Sequence, residues 1–160
     1  MLYWLDGPLR PGVGMRVASG QVGRIVFFRL EEGSDLLASM REHVEAEGIR
    51  SGFLACIGAL SKARLGYFLG QGKYKAIEVR GPLEIASCVG NISVGPEGET
   101  IIHAHICVCD GEGRAYGGHL LEGCIVSPTA EVTVIELSGA LLTRKLDAKT
   151  GLKLLSPKGP

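Results

Sequence analysis

Three histidines are spaced so that they can act together. They are His103 and His105 in Ile101-Ile102-His103-Ala104-His105-Ile106-Cys107-Val108-Cys109, and His119 in Tyr116-Gly117-Gly118-His119-Leu120. The first run alternates, and in a strand successive side chains point to opposite faces. One face then carries His103, His105, Cys107 and Cys109, and the other Ile102, Ala104, Ile106 and Val108. Asp110 to Arg114 contains two glycines and reads as a hairpin connection. A turn centred near Gly111 sets His103 opposite His119, whereas one centred near Glu112 sets His105 there. Either register keeps all three on one face, with facing Cβ atoms roughly 5 Å apart.

Three convergent imidazoles are a zinc donor set: ligand distances are about 2.0–2.1 Å, and a fourth position stays open. Such a site lowers the pKa of bound water towards about 7 and polarises a carbonyl or phosphoryl group. The competing reading is three ordinary strand histidines without a metal. Cys107 is a softer, lower-ranked ligand beside them. Glu84 and Glu122 are candidate general bases, although parity puts Glu122 on the face opposite His119.

The elements around this ribbon follow from pattern. Arg24 to Leu30 reads as a strand. Ser34 or Asp35 then caps a helix with apolar positions Leu36, Leu37, Met40 and Val44, stopped by Gly48. His43 on that helix reads as solvated. Further strands are expected over Gly52 to Ile57, Ala63 to Leu69, Tyr74 to Arg80 and Leu83 to Ser93, with breaks at Gly58-Ala59-Leu60-Ser61 and Gly81-Pro82. Gly58 is followed by a strand rather than a helix, which argues against a phosphate loop there. Gly90 is expected at a bulge or a close contact. Gly95 to Gly98 is a turn. Ser127-Pro128 is expected to break the chain before a last strand, Glu131 to Leu137. The end, with Arg144, Lys145, Lys149, Lys153 and Lys158, reads as a solvated basic tail. Three stretches result: an arm over residues 1–23 that includes Trp4 and a short strand near Met15, a domain over 24–140, and the tail over 141–160. The class is α+β, a mostly antiparallel sheet with one main helix packed on it. One helix cannot cover such a sheet, and the apolar surface left over invites oligomerisation.

Bulk properties exclude some functions. The 160 residues suit one domain. Seventeen basic and 17 acidic residues leave no formal net charge, against a large nonspecific nucleic-acid footprint. No apolar run is long enough for a transmembrane helix, and no signal peptide is apparent. Five cysteines, an odd number, read as free thiols in a cytoplasmic protein, mostly as small buried apolar residues.

Taken together the motifs resemble the plant-and-prokaryote conserved (PPC) domain. The resemblance is carried by Gly48-Ile49-Arg50 with Ile57-Gly58-Ala59-Leu60, Leu65-Gly66-Tyr67-Phe68, Gly81-Pro82-Leu83-Glu84-Ile85, Gly90-Asn91-Ile92-Ser93, His103-Ala104-His105 and Tyr116-Gly117-Gly118-His119-Leu120 with Glu122-Gly123. It runs from about Arg24 to Leu137. It implies a homotrimeric α+β domain, and metal binding at His103, His105 and His119, as some archaeal and bacterial members suggest. Stand-alone prokaryotic members are often labelled DNA-binding, so the resemblance also implies a transcription-associated role, through a local basic patch or the tail. Plant members carry an Arg-Gly-Arg hook for the minor groove; this chain has none, so that mechanism does not transfer. The alternative is a metal-dependent enzyme or small-molecule binder using the same histidines.

Overall fold

The protein is described by a computed structural model, which describes residues 17–156. Trp4, the strand expected near Met15 and Lys158 lie wholly or partly outside them. The elements in chain order are β1 (Gln21–Glu31), α1 (Leu36–Ala46), β2 (Gly52–Gly70), β3 (Lys73–Val94), β4 (Thr100–Cys109), β5 (Ala115–Leu120), β6 (Ile125–Ser138), β7 (Arg144–Leu146) and β8 (Lys153–Leu155). The α+β class expected from the sequence is found, with every strand pairing between these elements antiparallel. No described helix is long and apolar enough to cross a membrane.

The main sheet runs β1-β6-β2-β3-β4-β5 and curls back, so that β5 also pairs with β2. Closure is confined to Leu65↔Leu120 and Gly66↔His119, because the earlier half of the same β2 edge is taken by β6. Two glycines allow the strands to meet. A Cβ on Gly118 would lie 3.1 Å from the Gly66 carbonyl oxygen, where β5 closes on β2. A Cβ on Gly90 would lie 2.4 Å from the His103 carbonyl oxygen, so β3 can run against β4 only with hydrogen there. The expected close contact at Gly90 is therefore present.

The helix starts where its cap dictates. Asp35 has an extended backbone and accepts a hydrogen bond from the Ala38 N–H at 3.0 Å, satisfying a donor the first turn leaves free. Its second oxygen accepts from the Gly123 N–H, tying the helix start to the loop before β6. Leu36, Leu37, Met40 and Val44 are buried as their spacing requires. They pack with Ile102, Ala104, Ile106 and Val108, the apolar face of β4, in one core. Burying that face leaves the histidine face outward.

Four expectations are corrected. Gly58-Ala59-Leu60-Ser61 does not break the chain: β2 is continuous, and register shifts between Cys56 and Gly58 and between Leu60 and Lys62 absorb the irregularity as bulges. Gly81-Pro82 lies inside β3 opposite the second of these shifts, and Ser127-Pro128 lies inside β6. Glycine and proline signal a turn and a bulge alike; pairing with neighbours distant in sequence decides between them. The solvated basic end is also corrected. Residues 144–155 form the β7–β8 hairpin, joined to the end of β3 by a Val94↔Thr143 bridge and the Val94 N–H to Leu142 carbonyl bond.

Candidate metal centre

The hairpin settles on the second of the two registers: His105 pairs with His119, and Cys107 with Gly117. Asp110 makes this turn. Its Oδ1 accepts from the N–H groups of Glu112 and Arg114, its Oδ2 accepts from the Arg114 side chain at 2.8 Å, and the Arg114 guanidinium and these N–H groups hold its carboxyl down at about 2. Two rows of side chains cross the outer face. One runs Ile25, Ile135, Phe53, Asn91, His103; the other runs Phe27, Thr133, Ala55, Val89, His105, His119.

At the end of these rows the imidazoles converge. One ring nitrogen from each of His103, His105 and His119 lies within 4.8 Å of the others. The ring centroids are 5.0 Å apart for His103 and His119, 5.4 Å for His103 and His105, and 5.6 Å for His105 and His119. His105 is exposed; the other two are partly buried. In a tetrahedral site two nitrogens at 2.0–2.1 Å from zinc are about 3.4 Å apart, so rotation about the side-chain bonds has at most about 1.4 Å to close. The donor set fits a borderline metal: three neutral nitrogens, no carboxylate and no thiolate. Cys107, although on the same strand face, is not in the group, and neither are Glu84 and Glu122. Glu84 pairs across from Cys109 at the far end of β4, and Glu122 is held by Arg41 at 2.9 Å. His43 stacks on Phe28 at 4.9 Å, on the helix.

The surroundings disfavour protonation of His103 and His119. Burial, then the charge of Arg144, then His119 and His105, push the His103 pKa down to about 4. His119 is also lowered, by burial first and by His105 and Arg144 after it. A neutral imidazole has no proton to release before it binds a metal. The same shift carries a cost in acid. The unfolded chain takes up the His103 proton near pH 6.5, whereas the folded chain resists until about pH 4, so the unfolded state binds more protons in between and stability falls as pH falls through that window. Allowing for partial exposure, His103 accounts for about 1–2 kcal/mol of that loss in metal-free protein. Urea unfolding of wild type and His103→Gln between pH 7 and pH 4 checks this. The variant should lose less stability, and equal losses would contradict the assignment.

Sequence reasoning missed four neighbours. Arg144 is 7% exposed and donates from Nε to Ser93 Oγ at 2.8 Å, from Nη1 to the Lys153 carbonyl at 2.9 Å and from Nη2 to Asn91 Oδ1 at 2.8 Å. Asn91 is the direct cross-strand partner of His103. Tyr74 lies 5.5 Å from the His119 ring, with Phe68 a further 5.5 Å beyond, so an aromatic wall flanks the cluster. Asn91 and Ser93, two polar side chains two residues apart in a strand, were a readable signal. Arg144 in a basic stretch gave none.

The Plants and Prokaryotes Conserved (PCC) domain model matches residues 17–138. The chain belongs to this family. A PPC protein from Pyrococcus horikoshii is 36% identical with a TM-score of 0.80, over 88% of this chain and 96% of that one. A metal-containing protein from Archaeoglobus fulgidus is 35% identical with a TM-score of 0.79, over 88% and 99%. A protein from Ralstonia eutropha, described as a candidate DNA-binding protein, is 29% identical with a TM-score of 0.73, over 81% and 88%. The bifunctional protein GlmU of Synechococcus sp. strain JA-3-3Ab is 30% identical over 149 residues, which is 92% of this chain and 22% of that one. The chain thus spans about a fifth of the length of the curated relatives it matches.

Proposed function

We propose that this PPC-domain chain forms a homotrimer in which His103, His105 and His119 of each subunit hold a zinc ion, and that the open fourth position receives a small-molecule ligand. The observation that carries the reading is the approach of the three ring nitrogens to within 4.8 Å of one another. The metal-containing relative from Archaeoglobus fulgidus supports it. A bound zinc supplies Lewis acidity towards a carbonyl or phosphoryl group. His103 and His119, partly buried, anchor the metal; His105 is the exposed ligand; Tyr74 and Phe68 offer a bound molecule an apolar wall. Because no carboxylate of the described residues joins the cluster, ligand binding is favoured over proton-transfer catalysis. The five unpaired cysteines suit the reducing cytoplasm. Elemental analysis of protein dialysed against zinc is the test. About one zinc per chain is expected in wild type, and at least about a 100-fold weaker hold in His103→Ala, since losing a supporting group alone costs 10–100-fold. Wild type without stoichiometric metal would overturn the reading.

Association with DNA is the second reading, favoured by the name of the Ralstonia eutropha relative. Charge weighs against it. Arg24, Arg29, Arg41, Lys62, Arg80, Arg114 and Lys153 all sit in ion pairs with carboxylates. Of the expected basic tail, Arg144 is buried, and Lys145 and Lys149 are exposed. A gel-shift salt series is expected to show no retention at about 0.15 M salt. Retention falling steeply with salt, at the slope of six or more phosphate contacts, roughly −5 on a log–log plot, would favour DNA binding instead.

A further inference from the structure

Arg144 lies beyond the residues that match the family model, on a hairpin that residues 17–138 do not include. Its guanidinium is buried, and its three hydrogen-bond partners are all neutral: a hydroxyl, a main-chain carbonyl and a side-chain amide. Among the described residues no carboxylate pairs with it; the ion pairs all belong to other cations. A buried cation without a counter-ion is costly, and side chains this placed normally have a carboxylate beside them. The amide that Arg144 holds is that of Asn91, across the ladder from His103, so the charge sits at the edge of the imidazole cluster.

Three neutral imidazoles leave a divalent metal with its full charge. No carboxylate in the cluster offsets it, and Arg144 adds a further positive charge in a partly desolvated setting, where charges act over longer distances than in water. A neutral fourth ligand would leave all of that charge uncompensated. An anion would lower it.

We propose that the open position of the three-histidine site selects a small anion, a carboxylate or a phosphate, and that Arg144 is the positioning residue that sets this preference by its charge. The inference rests on the metal reading above. Arg144 acts from behind Asn91, since each of its three nitrogens already donates a hydrogen bond and its surface is covered; it is not itself a ligand-contacting group.

Protein loaded with Co²⁺, whose visible spectrum reports the fourth ligand, distinguishes the possibilities. It is titrated with acetate, with inorganic phosphate and with neutral imidazole, in wild type, Arg144→Gln and Arg144→Lys. Arg144→Gln is expected to weaken acetate or phosphate binding about tenfold, the worth of one modest charge interaction, while changing imidazole binding less than about twofold. Arg144→Lys, which keeps the charge, should retain most of the anion preference and also controls for folding of the hairpin. Whichever of acetate and phosphate binds more tightly identifies the class of anion. Equal losses for anion and imidazole in Arg144→Gln would overturn the proposal and leave Arg144 a structural pin. So would loss of anion preference in Arg144→Lys. Wild type that takes up no Co²⁺ would overturn the metal reading itself, a separate outcome visible before any anion is added.

Discussion

Saturating zinc is expected to raise the midpoint of thermal unfolding by roughly 5–10 °C, and His103→Ala is expected to abolish the rise. The size follows from linkage. A ligand at a hundredfold over its dissociation constant stabilises the state that binds it by about 2.7 kcal/mol, and in a domain of this size each kcal/mol moves the midpoint by about 2–4 °C. The histidines come from two strands of a closed sheet, β4 and β5, and β5 is also the strand that closes on β2 at Gly66↔His119. A metal bridging His105 and His119 therefore ties the ring of strands at its seam. His103→Ala leaves two imidazoles, too few to hold zinc firmly at that concentration. Scanning calorimetry with zinc and with a chelator measures the effect. A rise of equal size in wild type and variant would mean that zinc acts elsewhere on the chain.

Phe27→Lys is expected to convert the proposed homotrimer to monomer at micromolar concentration. Phe27 is 74% exposed in a single chain, and Ile57 and Ile25, at 62% and 54%, lie near it on the same side of the sheet. With Phe53, Val89 and Ile135 they make a continuous apolar band on the side away from the core. An isolated exposed apolar residue is ordinary, but a contiguous band is the mark of an interface. Burying one phenylalanine contributes about 1.5–3 kcal/mol, so three equivalent interfaces lose roughly 5–9 kcal/mol, more than a thousandfold in association. Light scattering across a dilution series reads the mass directly. A wild-type mass of one chain, or a Phe27→Lys variant that keeps the wild-type mass, would count against this face as the contact.

Much of the site was legible because it depends on local parity. Alternation alone put Ile102, Ala104, Ile106 and Val108 inward, and they are buried; it put His103 and His105 on the other face, and they are there. The shared parity of His119 made its face independent of the hairpin register, so the convergence of the three was readable even though the register was not. The helix was legible for the same reason: Asp35, the apolar spacing and Gly48 are all local signals. What was not legible depends on partners far along the chain. The pairing of β2 with both β6 and β5 decides that Gly58 is a bulge and that the sheet closes. Arg144 pairs with Asn91 and Ser93 about 50 residues away, and a basic stretch that docks reads the same in sequence as one that does not.

Anomalous diffraction at the zinc edge, from crystals grown with zinc, would locate the ion itself. One peak per chain is expected, at about 2.0–2.1 Å from a ring nitrogen of each of His103, His105 and His119. A map with no peak among these rings, or with zinc held only by other residues, would contradict a three-histidine zinc site.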